Sequence, residues 1–228
     1  MPRRALGLDR VRRIAAEAAE LGVAEIFVTG GEPFLLADIG EILAACAAAA
    51  PTTVLTNGML LVGRRFETLR TLPRDRLTLQ ISIDSPTPER HDRQRGKGSW
   101  AAAWKGIERA RAGGFRVRLA ATVSTEEEAE EFRSFLDAQQ IGEADRVVRR
   151  IALRGSAADG IALARADLVP EVTITAEGVY WHPVGAEDAD LHVTADIFPL
   201  ANSFAAVRRA FDRENEHRNR LATIFNCA

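Results

Sequence analysis

Two hydrophobic periods alternate along the first two thirds of the chain. Short runs rich in β-branched and aromatic residues, at Ile26-Phe27-Val28, Thr53–Thr56, Leu77–Asp84, Phe115–Val123 and Asp145–Ile151, read as strands. Between them apolar residues recur at helical spacing. Val11, Ile14, Ala15, Ala18 and Leu21 form one face of a helix, with Asp9 as its N-cap and Gly22 placed to end it. Ile39, Ile42, Leu43 and Cys46 point inward from a second, opened by the capping-box-like Asp38-Ile39-Gly40-Glu41 and halted at Pro51. A short helix is expected around Phe66–Leu72. Another is capped by Ser99 and ended by Gly113-Gly114, and an acidic one runs from the capping box Thr125–Glu128 to about Gln140.

Strand, turn and helix repeat at intervals of roughly 25 to 35 residues, the rhythm of consecutive βα units with right-handed crossovers, which predicts an α/β fold with a parallel sheet. The chain opens with a helix that would normally follow a first strand. Ile26-Phe27-Val28 has no polar alternation, as expected of a strand covered on both faces. The run from Leu77 does alternate. Leu77, Leu79, Ile81 and Ile83 face one way, and Thr78, Gln80, Ser82 and Asp84 the other. In an open sheet that polar face would meet water; in a barrel it would line a lumen wide enough for a ligand.

Past Arg154-Gly155-Ser156 the rhythm breaks. Val172–Thr175 and Val179–His182 flank Ala176-Glu177-Gly178 as a hairpin, followed by a short run at Leu191–Thr194 and an amphipathic helix from about Ser203 carrying Phe204, Val207 and Phe211. The expected division is a partial barrel over residues 1–155 and a small α+β appendage over residues 156–228.

Composition narrows the classes of function. Apolar residues make up 46% of the 228 and charged residues 27%, an ordinary globular balance, and the formal net charge of −2 with Arg evenly mixed among Asp and Glu provides no basic face for nucleic acid. No apolar run approaches the roughly 20 residues of a membrane span, and no hydrophobic signal region follows Arg3 and Arg4, so a cytoplasmic protein is expected. The four histidines are not spaced as zinc or non-haem iron ligands. Cys46 and Cys227 are the only cysteines. Cys46 has core spacing in an alanine-rich helix and reads as an inert buried thiol.

Candidate chemistry gathers where strands end. Gly30 and Gly31 remove the Cβ after the first strand, and Pro33 biases Glu32 toward an extended conformation, so a carboxylate is held beside exposed backbone at the strand's C-terminal edge, where parallel α/β folds bind ligands. Asn57-Gly58 closes the second strand. Ser82 and Asp84 close the third, before a loop rich in donors that contains His91 and Arg95 and leads to a helix start at Ser99. That loop suits polar or anionic parts of a ligand. Arg118 and Thr122 on the fourth strand, and Trp181 and His182 in the hairpin, are further candidates.

Taken together, Gly30-Gly31-Glu32-Pro33, Thr56-Asn57-Gly58 and Ile81-Ser82-Ile83-Asp84-Ser85-Pro86 with His91-Asp92-Arg93-Gln94-Arg95-Gly96-Lys97-Gly98-Ser99 resemble, in order, the GGEP, TNG and SIDS…HDxxRGxGS segments of MoaA-like and peptide-modifying radical S-adenosylmethionine (SAM) enzymes. The resemblance spans roughly residues 8 to 155. It implies a partial (β/α)6 barrel with its first strand missing, and a C-terminal region similar to a twitch or SPASM remnant. It further implies S-adenosylmethionine bound by Gly30, Gly31, Glu32, Pro33, Asn57, Ser82, Asp84 and Arg95, with Glu32 near the ligand's ammonium. The family reduces S-adenosylmethionine by one electron from a [4Fe–4S] cluster to make a 5′-deoxyadenosyl radical. Its partners would be an electron donor and a small-molecule or peptide substrate. The three cluster cysteines of the family's CxxxCxxC loop have no counterpart in this sequence. Two readings follow: an enzyme whose recorded sequence lacks that loop, or a cluster-less module that keeps the barrel to bind S-adenosylmethionine, a peptide or a partner. A missing first strand would leave an uncovered sheet edge at Ile26–Val28, open to self-association.

Overall fold

The computed structural model describes residues 5–151, 163–186 and 188–225. The chain falls into two compact units, Leu8–Ile151 and a second that joins Met1–Gly7 to Ala152–Ala228. Among the described residues no helix is long and apolar enough to cross a membrane.

The larger unit is a parallel half-barrel. Strands β1 (Ile26–Val28), β2 (Thr52–Thr56), β3 (Leu77–Ser82), β4 (Arg116–Val123) and β5 (Arg146–Arg150) pair in chain order. Helices α1 (Leu8–Glu20), α2 (Ile39–Ala49), α3 (Gly63–Arg70), α4 (Pro88–Arg95), α5 (Ser99–Ala112) and α6 (Glu126–Ala138) form the connections and the outer layer. Strict sequential order means that every βα unit steps the same way, which curves the sheet toward a barrel.

The two-residue period of the strands sorts the faces. Leu79, Ile81, Leu119 and Val123 share one core with Leu43 of α2, Ile107 of α5 and Phe132 of α6. Each such fully buried side chain contributes about 1.5–3 kcal/mol relative to exposure. On the opposite, concave face the register sets Phe27 beside Thr53, Leu55 beside Gln80, Gln80 beside Arg118, Ser82 beside Ala120 and Thr122 beside Arg149. The polar half of the β3 alternation therefore lines the lumen side.

One close approach aligns the upper loops. Gly58, at φ +75°, presents its carbonyl to Gly106 on α5, and a Cβ on Gly106 would collide with that oxygen. Only glycine lets the helix sit directly on the turn after β2.

Several local expectations are corrected. Ile26–Val28 is not covered on both faces: among the described residues β1 ends the sheet with β2 as its one neighbour, and Phe27 stands 49% exposed. Asp9 lies inside α1 rather than before it, and Leu21 falls beyond the helix and is exposed. Asp38 precedes α2 without a side-chain capping bond. Ser99 is the first residue of α5, not its cap. The donor-rich loop before it holds a helix, α4, started by Pro88. Thr125 does cap α6, its hydroxyl accepting from the Glu128 N–H.

The smaller unit contains the hairpin β6 (Thr173–Thr175) and β7 (Gly178–Tyr180), antiparallel as expected, with β8 (His192–Thr194) on the other side of β7 and the helix α7 (Leu200–Phe225). Its core gathers Leu168, Tyr180, Trp181, Leu191 and Ala210. Trp181 is buried, donates its Nε1–H to the Leu168 carbonyl at 2.9 Å and lies under the Arg165 guanidinium at 4.3 Å, so it organises this core rather than facing a substrate. His182 Nδ1 accepts the Val184 N–H at 3.0 Å, a turn-closing bond. On α7 Val207 is buried whereas Phe204 and Phe211 are exposed. The Arg154–Ser156 junction and Cys227 lie outside the described residues.

Candidate functional site

Two clusters stand at the C-terminal ends of the strands. The first is centred on Glu32. After β1 the backbone turns through Gly30 at φ +149°, a conformation that L side chains rarely adopt, and at both Gly30 and Gly31 the space a Cβ would occupy is open. Glu32 is extended (φ −138°, ψ 108°), as the following proline demands. Its Oε1 accepts from the Phe34 N–H at 3.1 Å and from the Thr56 hydroxyl at 2.8 Å; its Oε2 accepts from the Asn57 N–H at 2.8 Å. The carboxylate thus ties the end of β1 to the end of β2. Three of its roughly four acceptor sites are occupied, which leaves one on Oε2. Asn57 folds back on its own chain, its Oδ1 accepting from the Met59 N–H at 2.9 Å, and the Thr56 hydroxyl accepts from the Gly58 N–H at 3.1 Å.

The second cluster is centred on Asp84. Its Oδ2 is ion-paired with Arg95 Nε, its Oδ1 faces the Thr122 N–H at 3.4 Å, and its own N–H donates to His91 Nδ1 at 3.2 Å. His91 is 1% exposed, and accepting at Nδ1 requires the neutral ring to carry its proton on Nε2. Burial pushes its pKa below the usual histidine value, against the opposing pull of the Asp84 carboxylate. The next residue, Asp92, accepts from the N–H groups of Gly98 (2.5 Å) and Trp100 (2.9 Å) and from the Ser99 hydroxyl (3.1 Å). The Trp100 and Gly98 bonds hold its pKa below the usual carboxylate value. Asp92 is therefore the acceptor that caps α5, and it fixes α4 to α5 so that Arg95, at the end of α4, meets Asp84.

The expected residues accordingly form two groups on one edge of the sheet. Gly30, Gly31, Glu32 and Pro33 share one turn, and Asn57 touches it. Asp84 and Arg95 form the other, with Ser82 half-buried on the concave face two residues below. Thr56, His91 and Asp92, present in the sequence motifs but not assigned to ligand binding, hold these groups in place. The His91-Asp92 pair followed by Gly98-Ser99 was the one available signal.

Five parallel strands in chain order, with helices as connections and a carboxylate-bearing glycine turn above β1, define a partial α/β barrel. Residues 2–138 match the Radical SAM superfamily, and the chain belongs to that family. It is 33% identical over 144 residues to the AdoMet-dependent heme synthase of Methanosarcina barkeri, covering 62% of this chain and 41% of that protein. It is 34% identical over 120 residues to the antilisterial bacteriocin subtilosin biosynthesis protein AlbA of Bacillus subtilis, covering 52% of this chain and 27% of that one. Over 114 residues it is 33% identical to the GTP 3′,8-cyclase of Tolumonas auensis, covering 49% and 33%. The chain thus spans less than half the length of these relatives. In fold it is similar to the solved structure described as native anSMEcpe with bound AdoMet, with a TM-score of 0.53 at 12% identity, covering 71% of this chain and 48% of that one.

The superfamily's iron–sulfur cluster does not fit Cys46, the one thiol among the described residues. Cys46 is buried in α2 among core side chains, and burial pushes its thiol up to about 11, away from the thiolate a cluster requires. Among the described residues no three His, Cys, Asp or Glu side chains group as metal ligands.

Proposed function

We propose that this chain is the S-adenosylmethionine-binding barrel of a radical enzyme acting on a small-molecule or peptide substrate. The observation that carries the reading is the Glu32 turn. An open Gly30-Gly31 backbone and a carboxylate with one remaining acceptor site meet at the C-terminal end of a parallel strand, which suits an ammonium group. Asn57 lies beside it, and Ser82, Asp84 and Arg95 offer a polar and charged partner surface along the same edge for the ribose and carboxylate of the ligand. The thiolates that would hold a cluster lie outside these 228 residues in this reading, so no step of the reaction is assigned to the chain itself. Its contribution is to bind and orient.

A second reading, a cluster-less binding module, draws on the burial of Cys46 in the core. The nucleotide sequence immediately upstream of Met1 separates the two, because an in-frame strand followed by CxxxCxxC supports the enzyme. Binding itself is tested by equilibrium dialysis of the chain against radiolabelled S-adenosylmethionine. Saturable retention that Arg95→Ala weakens supports the proposal, and no retention above a denatured control refutes it.

A further inference from the structure

Below the strand ends just described, the concave face carries polar side chains that have no partner among the described residues. Gln80 sits at the centre of the sheet on the middle strand, 6% exposed, and its amide makes no hydrogen bond among the described residues. The buried side-chain polar atoms left without a partner among the described residues are Trp100 Nε1 and Arg165 Nε, so the Gln80 amide is not sealed in the core but opens onto the concave face, where a ligand can reach it. Its register neighbour on β4 is Arg118, half-buried, and two residues earlier on β3 is Thr78. Neither the guanidinium nor the hydroxyl has a partner among the described residues.

A cavity of about 560 Å³ opens at the N-terminal ends of the strands, lined in part by Thr53, Thr78, Arg116 and Arg118, with Gln80 two residues beyond Thr78 and outside the lining. Its other arginines are held by hydrogen bonds, and two carboxylates, Glu25 and Asp75, share the lining. Arg116 pairs with Asp145 at 2.6 Å, Arg76 donates to the Ala47 carbonyl at 2.5 Å, and Arg74 to the Arg70 carbonyl at 3.3 Å. Glu25 accepts the Thr53 hydroxyl at 2.6 Å, and Asp75 stands exposed. Among the described residues Arg118 has neither an ion pair nor a hydrogen bond, whereas Arg74 and Arg76 are held by backbone carbonyls and Arg116 by a carboxylate.

The geometry points to an anion subsite formed by Gln80, Arg118 and Thr78 that seats the far end of the substrate. A carboxylate or phosphate oxygen pair accepts from the guanidinium and the amide N–H2, while the Gln80 carbonyl takes an N–H or O–H donor of the same ligand. Gln80 lies four residues along the strand from Asp84, about 13 Å at about 3.3 Å per residue. The substrate is therefore elongated, with its anionic end held low on the concave face and its reacting end near the cofactor. This inference rests on the proposed cofactor position only for the substrate's orientation. The anion subsite itself stands on Gln80 and Arg118.

The test uses the 228-residue chain with ¹⁵N-labelled arginine and no S-adenosylmethionine, so its outcome is independent of cofactor binding. The Arg118 Nε–H signal is assigned by its loss in Arg118→Lys. Three probes are titrated: a tripeptide with a free C-terminal carboxylate, the same tripeptide amidated, and inorganic pyrophosphate. The expected result is a saturable shift of the Arg118 signal with the free peptide or with pyrophosphate, whichever binds naming the source of the anion, and none with the amide. Gln80→Leu should weaken the effective probe by about tenfold, the scale of one hydrogen bond to a charged group, without lowering the melting temperature, because the amide it removes is unpaired. No saturable shift with either anion, an equal shift with the amidated peptide, or a Gln80→Leu chain that melts lower than wild type would overturn the proposal.

Discussion

Replacing Glu32 with glutamine changes a single atom, and the structure says which bond it breaks. The glutamine carbonyl can replace Oε1 and keep the Thr56 hydroxyl and the Phe34 N–H. Its amide nitrogen then stands where Oε2 stood, 2.8 Å from the Asn57 N–H, so two donors face each other. A hydrogen bond to a charged group is worth about 1.5–3 kcal/mol, and half-exposure of Glu32 reduces the expected loss to about 1–2 kcal/mol. For a chain of this size that lowers the melting temperature by about 2–8 °C, read by far-ultraviolet circular dichroism without any ligand. Thr56→Val removes a second bond to the same carboxylate. The double variant should lose less than the sum of the singles, with a coupling of about 0.5–2 kcal/mol. A Glu32→Gln chain that melts with wild type, or strictly additive losses, would show that Glu32 does not tie β1 to β2.

Other substitutions probe the supports around this site. Gly106→Ala drives a methyl group into the Gly58 carbonyl and should destabilise by about 1–3 kcal/mol in urea unfolding, whereas wild-type stability would mean that α5 can back away from the turn. His91 binds its proton less readily in the folded chain than at its ordinary value of 6.5, so the unfolded state takes up the extra proton. Stability should be fully present above pH 6.5 and fall as the pH drops below it, until the folded histidine protonates as well. His91→Asn, whose Oδ1 can accept the Asp84 N–H, should flatten that part of the wild-type pH profile; an identical profile would refute the assignment. Phe27→Lys places a charge on the exposed edge strand and should reduce concentration-dependent association in light scattering, which an already monodisperse wild type would contradict.

What could be read beforehand and what could not divides along sequence distance. The five strands announce themselves as apolar runs, and the alternation from Leu77 to Asp84 told which face would be polar. The turn at Gly30–Pro33 was legible because glycine and proline act on their own backbone. Helix α4 was missed because Glu89-Arg90-His91-Asp92-Arg93-Gln94-Arg95 has almost no apolar stripe; its one buried side chain is His91. The cap of α5 comes from Asp92, seven residues before Ser99, and no local rule looks that far. Glu32 reaches Thr56 and Asn57 across more than twenty positions, a pairing that exists only once β1 and β2 lie side by side. The exposure of Phe27 likewise follows from which strand ends the sheet, which three residues cannot encode.

The central claim is that S-adenosylmethionine binds at the C-terminal ends of the strands. The most direct measurement is a ¹⁵N–¹H correlation spectrum of the assigned chain titrated with S-adenosylmethionine. The account predicts saturable shifts at the backbone amides of Gly30, Gly31, Asn57 and Asp84 and at Arg95 Nε, with the amides at the opposite strand ends, such as Thr52 and Leu77, unmoved. Shifts confined to those opposite ends, or none at any concentration, would contradict it.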